Sequence, residues 1–195
     1  MRLILASSSR YRRQLLTRLH CPFDVISPNI DETPLPGEVP RALALRLSAA
    51  KANAVTRDHP DALVIGSDQV AAIDGAFIGK PGTFERAQAQ LRLLSGRTVE
   101  FHSGLCVSNG ARHESVDVIT ECRFRRLSPE EIDAYLRLDE PFDAAGSAKA
   151  EGLGICLMES IQSDDPTAII GLPLIALSRL LRSFGLNPLT RSEAS

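Results

Sequence analysis

Several features are missing from this 195-residue chain, and each absence removes a class of function. There is no excess of positive charge: 22 Lys and Arg stand against 24 Asp and Glu, a formal net charge of −2. A globally basic nucleic-acid binder is excluded, which leaves room only for a local cationic pocket. There is no Cys-x-x-Cys pair. Cys21, Cys106, Cys122 and Cys156 lie far apart with no His at zinc spacing, so they read as reduced, mostly core thiols. There is no membrane-length apolar run, since the longest, residues 169–177, is broken by Gly171 and Pro173 and falls far below ~20 residues. The first six residues are too short an apolar stretch for a signal-peptide core, and a cytoplasmic location is expected. No Gly-x-Gly-x-x-Gly or Walker loop occurs, which argues against dinucleotide oxidoreductases and P-loop enzymes.

What is present is 44% hydrophobic and 24% charged sequence without repeats or linkers. One domain over residues 1–188 with a loose tail at 189–195 is expected. Its core should bury roughly 70% of the surface the unfolded chain exposes. A short apolar run at 3–6 predicts a strand, followed by Ser7-Ser8-Ser9 and a helix using Leu15, Leu16 and Leu19. A second strand is predicted at 23–26, and a Pro-rich connection leads to a helix from Pro40 to about Thr56. The continuous run 62–66 predicts a buried strand delivering Ser67-Asp68-Gln69 at its carboxyl end, where ligands sit in open α/β sheets. A hairpin around Asp74-Gly75 then returns the chain to Gly79-Lys80-Pro81, near Asp68.

Thr83 caps a predicted helix to Leu94, and strands follow at 99–108 and 114–124 around Asn109-Gly110. Ser128-Pro129-Glu130-Glu131 is a capping box opening a helix to about Arg137. An Ala- and Gly-rich loop at 141–154 holds Lys149 and Glu151, a strand is predicted at 155–161, and an amphipathic helix at 173–184 ends the fold.

Ser7-Ser8-Ser9 ahead of Arg10, Arg12 and Arg13 has the makings of an anion site at a helix N-terminus. A capped, solvated helix with basic decoration explains the same residues. Asp68 with Gln69 and Lys80 is an acid and a base at a strand end, and a structural ion pair accounts for them as readily as function does. Asp31-Glu32 and Lys51 add little singly. Taken together the residues supply cations for a polyphosphate and carboxylates for a divalent metal or water, with no Ser-His or Cys-His pairing, which is the chemistry of phosphoanhydride hydrolysis. His20, His59, His102 and His113 lack metal or triad spacing and read as structural.

Ser7-Ser8-Ser9 with Arg12-Arg13, Asp31-Glu32-Thr33, Ala49-Ala50-Lys51-Ala52, Gly66-Ser67-Asp68, Gly79-Lys80-Pro81 and Gly171-Leu172-Pro173, in that order, resemble the Maf family of nucleotide pyrophosphatases. The resemblance runs over nearly the whole chain. It implies an α/β fold like that of the inosine-triphosphate pyrophosphatases, a single domain of two lobes around a long curved mixed sheet flanked by helices. It also implies cleavage of nucleoside triphosphates between the α and β phosphates with a divalent cation, Mg or Mn. By position, Asp68 resembles the family's proton acceptor and, with Glu32, its metal contact. Ser7, Arg12, Lys51 and Lys80 resemble its phosphate contacts, and homodimers are common among relatives.

Tyr11, Gln69 and Glu151 stand where pyrimidine-specific members show Arg, Thr and Gln, and so resemble the branch acting on 7-methyl-GTP. An aromatic face attracts the positive charge of N7-methylated guanine. A carboxylate can accept hydrogen bonds from the guanine N1–H and exocyclic amine. Relatives often carry Trp at position 11 and Pro at position 10, where this chain has Tyr11 and Arg10. Two other readings remain, a dTTP or UTP pyrophosphatase and a nucleotide-binding regulator of cell division. RNA binding through Arg10, Arg12 and Arg13 lacks interleaved aromatics. Neither nucleic acid nor membrane is expected as a partner.

Overall fold

The computed structural model describes residues 2–190, whose apolar periodicities resolve into strands and helices around one mixed sheet. In chain order these are β1 (Arg2–Ala6), α1 (Arg10–Thr17), β2 (Asp24–Ile26), α2 (Pro40–Thr56), β3 (Ala62–Ile73), β4 (Ala76–Ile78) and α3 (Phe84–Leu94). There follow β5 (Thr98–Ser108), β6 (His113–Phe124), α4 (Pro129–Asp139), β7 (Met158–Ser163) and α5 (Leu174–Ser183). The sheet order is β2-β1-β3-β5-β6-β7, with β4 paired to β3. β1 runs parallel to β2 and β3, and the remaining pairs are antiparallel.

The 12-residue β3 organises the molecule. One of its edges pairs continuously with β5 from Val64 to Ala72. The other edge pairs with β1 as far as Gly66 and with β4 only from Ala71 onward. Ser67, Asp68, Gln69 and Val70 therefore lie between those two ladders. The expected strand end after Gly66 is corrected: Asp68 lies within β3, and what ends there is its parallel partner β1, at Ala6.

Side-chain alternation separates two cores on one face of this sheet. Leu3, Leu5, Leu63, Ile65, Leu105 and Val107 pack with residues of α1 and α5. Further along the same strands, Ala71, Ile73, Val99 and Phe101 pack with residues of α3 and α4. The opposite face is covered by α2, whose Ala52 and Val55 meet Ile4, Val64 and Cys106 and whose Leu43 and Leu47 meet Val70. Glycine permits the close approach. A Cβ on Gly66 would stand 2.1 Å from the Ser48 carbonyl oxygen, and one on Gly104 2.2 Å from that of Ala44.

Between the two cores runs the segment from Asp165 to Pro173, held by a buried carboxylate. Asp165 Oδ2 accepts from the N–H groups of Ile175 and Ala176 in the first turn of α5. Its Oδ1 accepts from the Thr167 N–H and hydroxyl. Thr167 Oγ1 also lies 2.9 Å from the Leu172 carbonyl, an alternative acceptor for its one hydrogen, and accepts from the Leu174 N–H. Asp165→Ala should lower unfolding stability by about 2 kcal/mol, the upper end for a helix cap, because several donors lose their acceptor together. Urea unfolding of the two chains measures it, and a loss below about 0.5 kcal/mol would contradict the cap.

Other boundaries moved for identifiable reasons. α1 stops at Thr17, so Leu19 reaches the core from the following turn. The strand expected at 155–161 begins only at Met158, because residues Leu153–Leu157 form a 3₁₀ turn whose Gly154 lies against the backbone of Lys149. The expected capping box at Ser128 and Glu131 is formed. Of the tail expected at 189–195, residues 191–195 lie outside the described residues.

Candidate active site

A cleft of about 680 Å³ opens beside the Ser67–Val70 stretch of β3. It is lined by Tyr11, Arg12, Glu32, Lys51, Asp68, Gln69, Lys80 and Glu151, together with Ser8 and Ser9. The structure thus brings together eight of the nine residues singled out in the sequence. The ninth, Ser7, is buried outside the lining, and its Oγ accepts from the Ser9 N–H at 3.1 Å. Ser7 shapes the turn, while Ser9 caps α1 by accepting from the Arg12 N–H.

Lys51 projects from α2 onto β3 with only 7% of its side chain exposed. Its Nζ donates to Asp68 Oδ1 at 2.6 Å and pairs with Glu32 Oε1 at 2.8 Å. One ammonium therefore lies between the two carboxylates expected to hold a metal. Among the described residues no group of three or more His, Cys, Asp or Glu is gathered as a metal cage. Two carboxylates converging on one cation nevertheless form a donor set that suits Mg²⁺, which binds through one or two carboxylates and the substrate's own phosphates.

Glu32 is brought to this point by a clamp that sequence reasoning missed. Arg46 of α2 donates from Nε to Glu38 Oε1 at 2.7 Å, and from Nη2 to Glu38 Oε2 at 2.8 Å and the Thr33 carbonyl at 3.1 Å. The guanidinium holds the Glu38 carboxyl down at about 2, so the clamp keeps its charge throughout the neutral range. No periodicity or motif marks this pair. Only the length of the Pro-rich connection implied that something must tie it down.

Arg12, half-buried, donates from Nε to the Gly171 carbonyl at 2.8 Å. Burial pushes its guanidinium below its ordinary value, opposed by the charges of Asp68 and Glu32. Ser67 Oγ donates to the same carbonyl at 2.9 Å. Gln69 is an anchor as well as a lining residue: its Nε2 donates to the carbonyls of Ala168 at 2.9 Å and Ile169 at 3.0 Å. Ser67 and Gln69 thus fasten the Asp165–Pro173 segment from one face of β3, and Asp68 faces Lys51 from the other.

The rim is more exposed. Arg10 lays its guanidinium carbon 4.8 Å from the centre of the Tyr11 ring and donates to the Tyr11 hydroxyl at 2.7 Å. One face of the ring expected to meet a cationic base thus carries a cation of the chain itself. Lys80 and Glu151 are exposed on other parts of the cleft. His102 lies outside the lining, buried at 2.8 Å from Asp117, in keeping with a structural reading.

Residues 2–184 match the family model described as Maf-like protein. The chain belongs to the Maf family. A protein of Bordetella pertussis named 7-methyl-GTP pyrophosphatase is 68% identical to this Maf chain over 193 residues, covering 99% of it and 97% of the relative. One of Bordetella avium with the same name is 70% identical over 188 residues, covering 96% and 95%. One of Burkholderia thailandensis, again so named, is 62% identical over 199 residues, covering 100% and 92%. The solved Ham1 protein of Staphylococcus aureus aligns at a TM-score of 0.46 and 16% identity, over 65% of the Maf chain and 73% of that structure. No helix among the described residues is long and apolar enough to cross a membrane.

Proposed function

We propose that this chain hydrolyses 7-methyl-GTP to 7-methyl-GMP and diphosphate. The observation that carries the reading is the convergence of Tyr11 and Glu151 on the cleft that holds Asp68, Lys51 and Arg12. The names borne by relatives at 62–70% identity support it. Asp68 accepts a proton from water as its oxygen bonds to the α-phosphorus, and the bond from that phosphorus to the α–β bridging oxygen breaks. Lys51 holds the Asp68 carboxylate in place. Arg12 and Lys80 offset the charge that develops on the α-phosphoryl group and on the departing diphosphate. Held by Asp68 and Glu32, Mg²⁺ or Mn²⁺ would supply Lewis-acid charge to the phosphate oxygens.

The base end follows from its charge. N7-methylguanine is cationic, and an aromatic face is worth roughly 1–2 kcal/mol to such a ring when water is excluded. The Glu151 carboxylate balances that charge and accepts from N1–H and the exocyclic amine, a donor pair uracil and thymine lack. Cys106 and Cys122 are buried thiols, which supports a reducing compartment such as the cytoplasm.

The test is diphosphate release from 7-methyl-GTP, GTP, dTTP, UTP and CTP with added Mg²⁺ or Mn²⁺ and again after chelation. Preference for 7-methyl-GTP is expected, with activity lost on chelation. Glu151→Gln should narrow its advantage over GTP about tenfold, the worth of one charge-assisted contact. A preference for dTTP or UTP would overturn the base assignment, and activity indifferent to chelation would remove the metal.

A further inference from the structure

Lys149 lines the cleft, yet its ammonium is committed to the end of α4. Nζ donates to the carbonyls of Asp139 at 3.1 Å and Glu140 at 3.2 Å, and pairs with Asp143 Oδ1 at 3.4 Å. Two of the ammonium's three donors are thus used on carbonyls, and Asp143 balances its charge. The two carbonyls belong to the C-terminal end of α4, where acceptors are left over by the helix and a cation is favoured. Only 14% of the Lys149 side chain is exposed, so the contact is built into the fold.

The same residue is fastened to α4 a second time through its backbone. Its N–H donates to the hydroxyl of buried Tyr135 at 3.1 Å. Burial pushes that phenol above its ordinary value, so the group stays a neutral hydroxyl. The Lys149 carbonyl accepts from the Gly152 N–H at 3.0 Å, closing a turn whose interior residues are Ala150 and Glu151. On the far side, a Cβ on Gly154 would come within 2.5 Å of the Lys149 carbonyl oxygen and 2.6 Å of its nitrogen. The backbone that presents Glu151 is therefore defined by Lys149 from both directions.

We propose that Lys149 is a positioning residue that buckles the Glu151 turn to the end of α4 and thereby sets the selectivity of the cleft for the base. The proposal rests on Glu151 as the base-reading carboxylate. It assigns Lys149 no contact with the triphosphate, in contrast to Lys80 and Arg12.

The test compares kcat and KM on 7-methyl-GTP and GTP for the full chain and for Lys149→Met, Lys149→Arg, Glu151→Gln and the Lys149→Met/Glu151→Gln double variant. Amide exchange over residues 150–152 is measured alongside. Lys149→Met should reduce the ratio of the two kcat/KM values about tenfold, mainly through KM for 7-methyl-GTP, and Lys149→Arg should restore part of it. In the Glu151→Gln background the same change should move the ratio less than about twofold, because the two residues act as one unit. Exchange at 150–152 should quicken about tenfold or more in Lys149→Met.

An equal fall in kcat on both nucleotides, an undiminished effect in the Glu151→Gln background, or unchanged amide exchange would each overturn the buckle. Should Lys149→Met fail to fold, Tyr135→Phe keeps the buried ring and removes the hydroxyl that accepts from the Lys149 N–H and faces the Asp139 side chain. It should lower the ratio about threefold, the worth of one neutral hydrogen bond, and an unaltered ratio would refute the proposal. A wild-type chain that prefers another triphosphate overturns the base assignment alone, since the exchange measurement still decides the buckle.

Discussion

Asp68→Asn should reduce kcat for diphosphate release about a thousandfold while leaving the chain folded, the usual scale for loss of a general base. The amide occupies the same volume, so Lys51 keeps a neighbour in place of its 2.6 Å carboxylate partner, but the group can no longer take a proton from water. The substitution also lowers the negative charge facing a divalent cation, and KM for the metal should rise with it. Initial rates over a range of Mg²⁺ concentrations, with the melting temperature as a control on folding, separate the two effects. A kcat within about tenfold of wild type, with the fold intact, would show that proton transfer lies elsewhere in the cleft and would leave Asp68 a metal ligand alone.

Gly66→Ala should have the largest effect on stability of any single methyl addition considered. The new Cβ would lie 2.1 Å from the Ser48 carbonyl oxygen and 2.6 Å from the Ala52 nitrogen. Both are backbone atoms of α2, which cannot be relieved by a rotamer change. The helix must withdraw by about 1 Å or the strand must buckle, at a cost of about 3 kcal/mol. For a chain of this size that lowers the melting temperature by roughly 6–12 °C. Because Lys51 precedes Ala52, the same withdrawal lifts its ammonium from Asp68, and kcat should fall about a hundredfold, the scale of an ångström's misplacement. A melting point within about 2 °C of wild type would show that α2 is not seated on this glycine.

How far the site could be read from the sequence depended on the range of the interaction. Pro40 and the apolar period of 43, 47, 50 and 54 marked α2 because a helix declares its own period locally, although the buried face continues through Ala52 and Val55 and leaves Ala50 and Ala54 only half-buried. The Ser128 capping box did the same for α4. Asp68 stood out beside an apolar run, yet its place inside β3 was hidden: where a strand continues depends on how far its partners extend, and β1 and β5 stop at different points. Lys51 read as one more helical lysine. Its burial comes from Gly66 and Gly104, and glycine inside an apolar strand is a sequence sign of close backbone approach.

Gln69 was legible as a polar side chain near the site, but not as a donor to carbonyls about a hundred residues downstream. Nothing local marks Asp165 as an anchor, because the N–H groups of Ile175 and Ala176 reach its carboxylate only once α5 has docked.

The passage of β3 and β5 through both cores, with α2 across them, has a consequence for adaptation. Asp68 and Lys51, the pair proposed for the phosphate chemistry, are set in shared sheet and helix backbone. Tyr11 and Glu151, proposed to meet the base, stand at the start of α1 and in the 141–154 loop, outside that frame. On that proposal, substitutions at the periphery would change recognition of the base while leaving the Asp68–Lys51 pair in place.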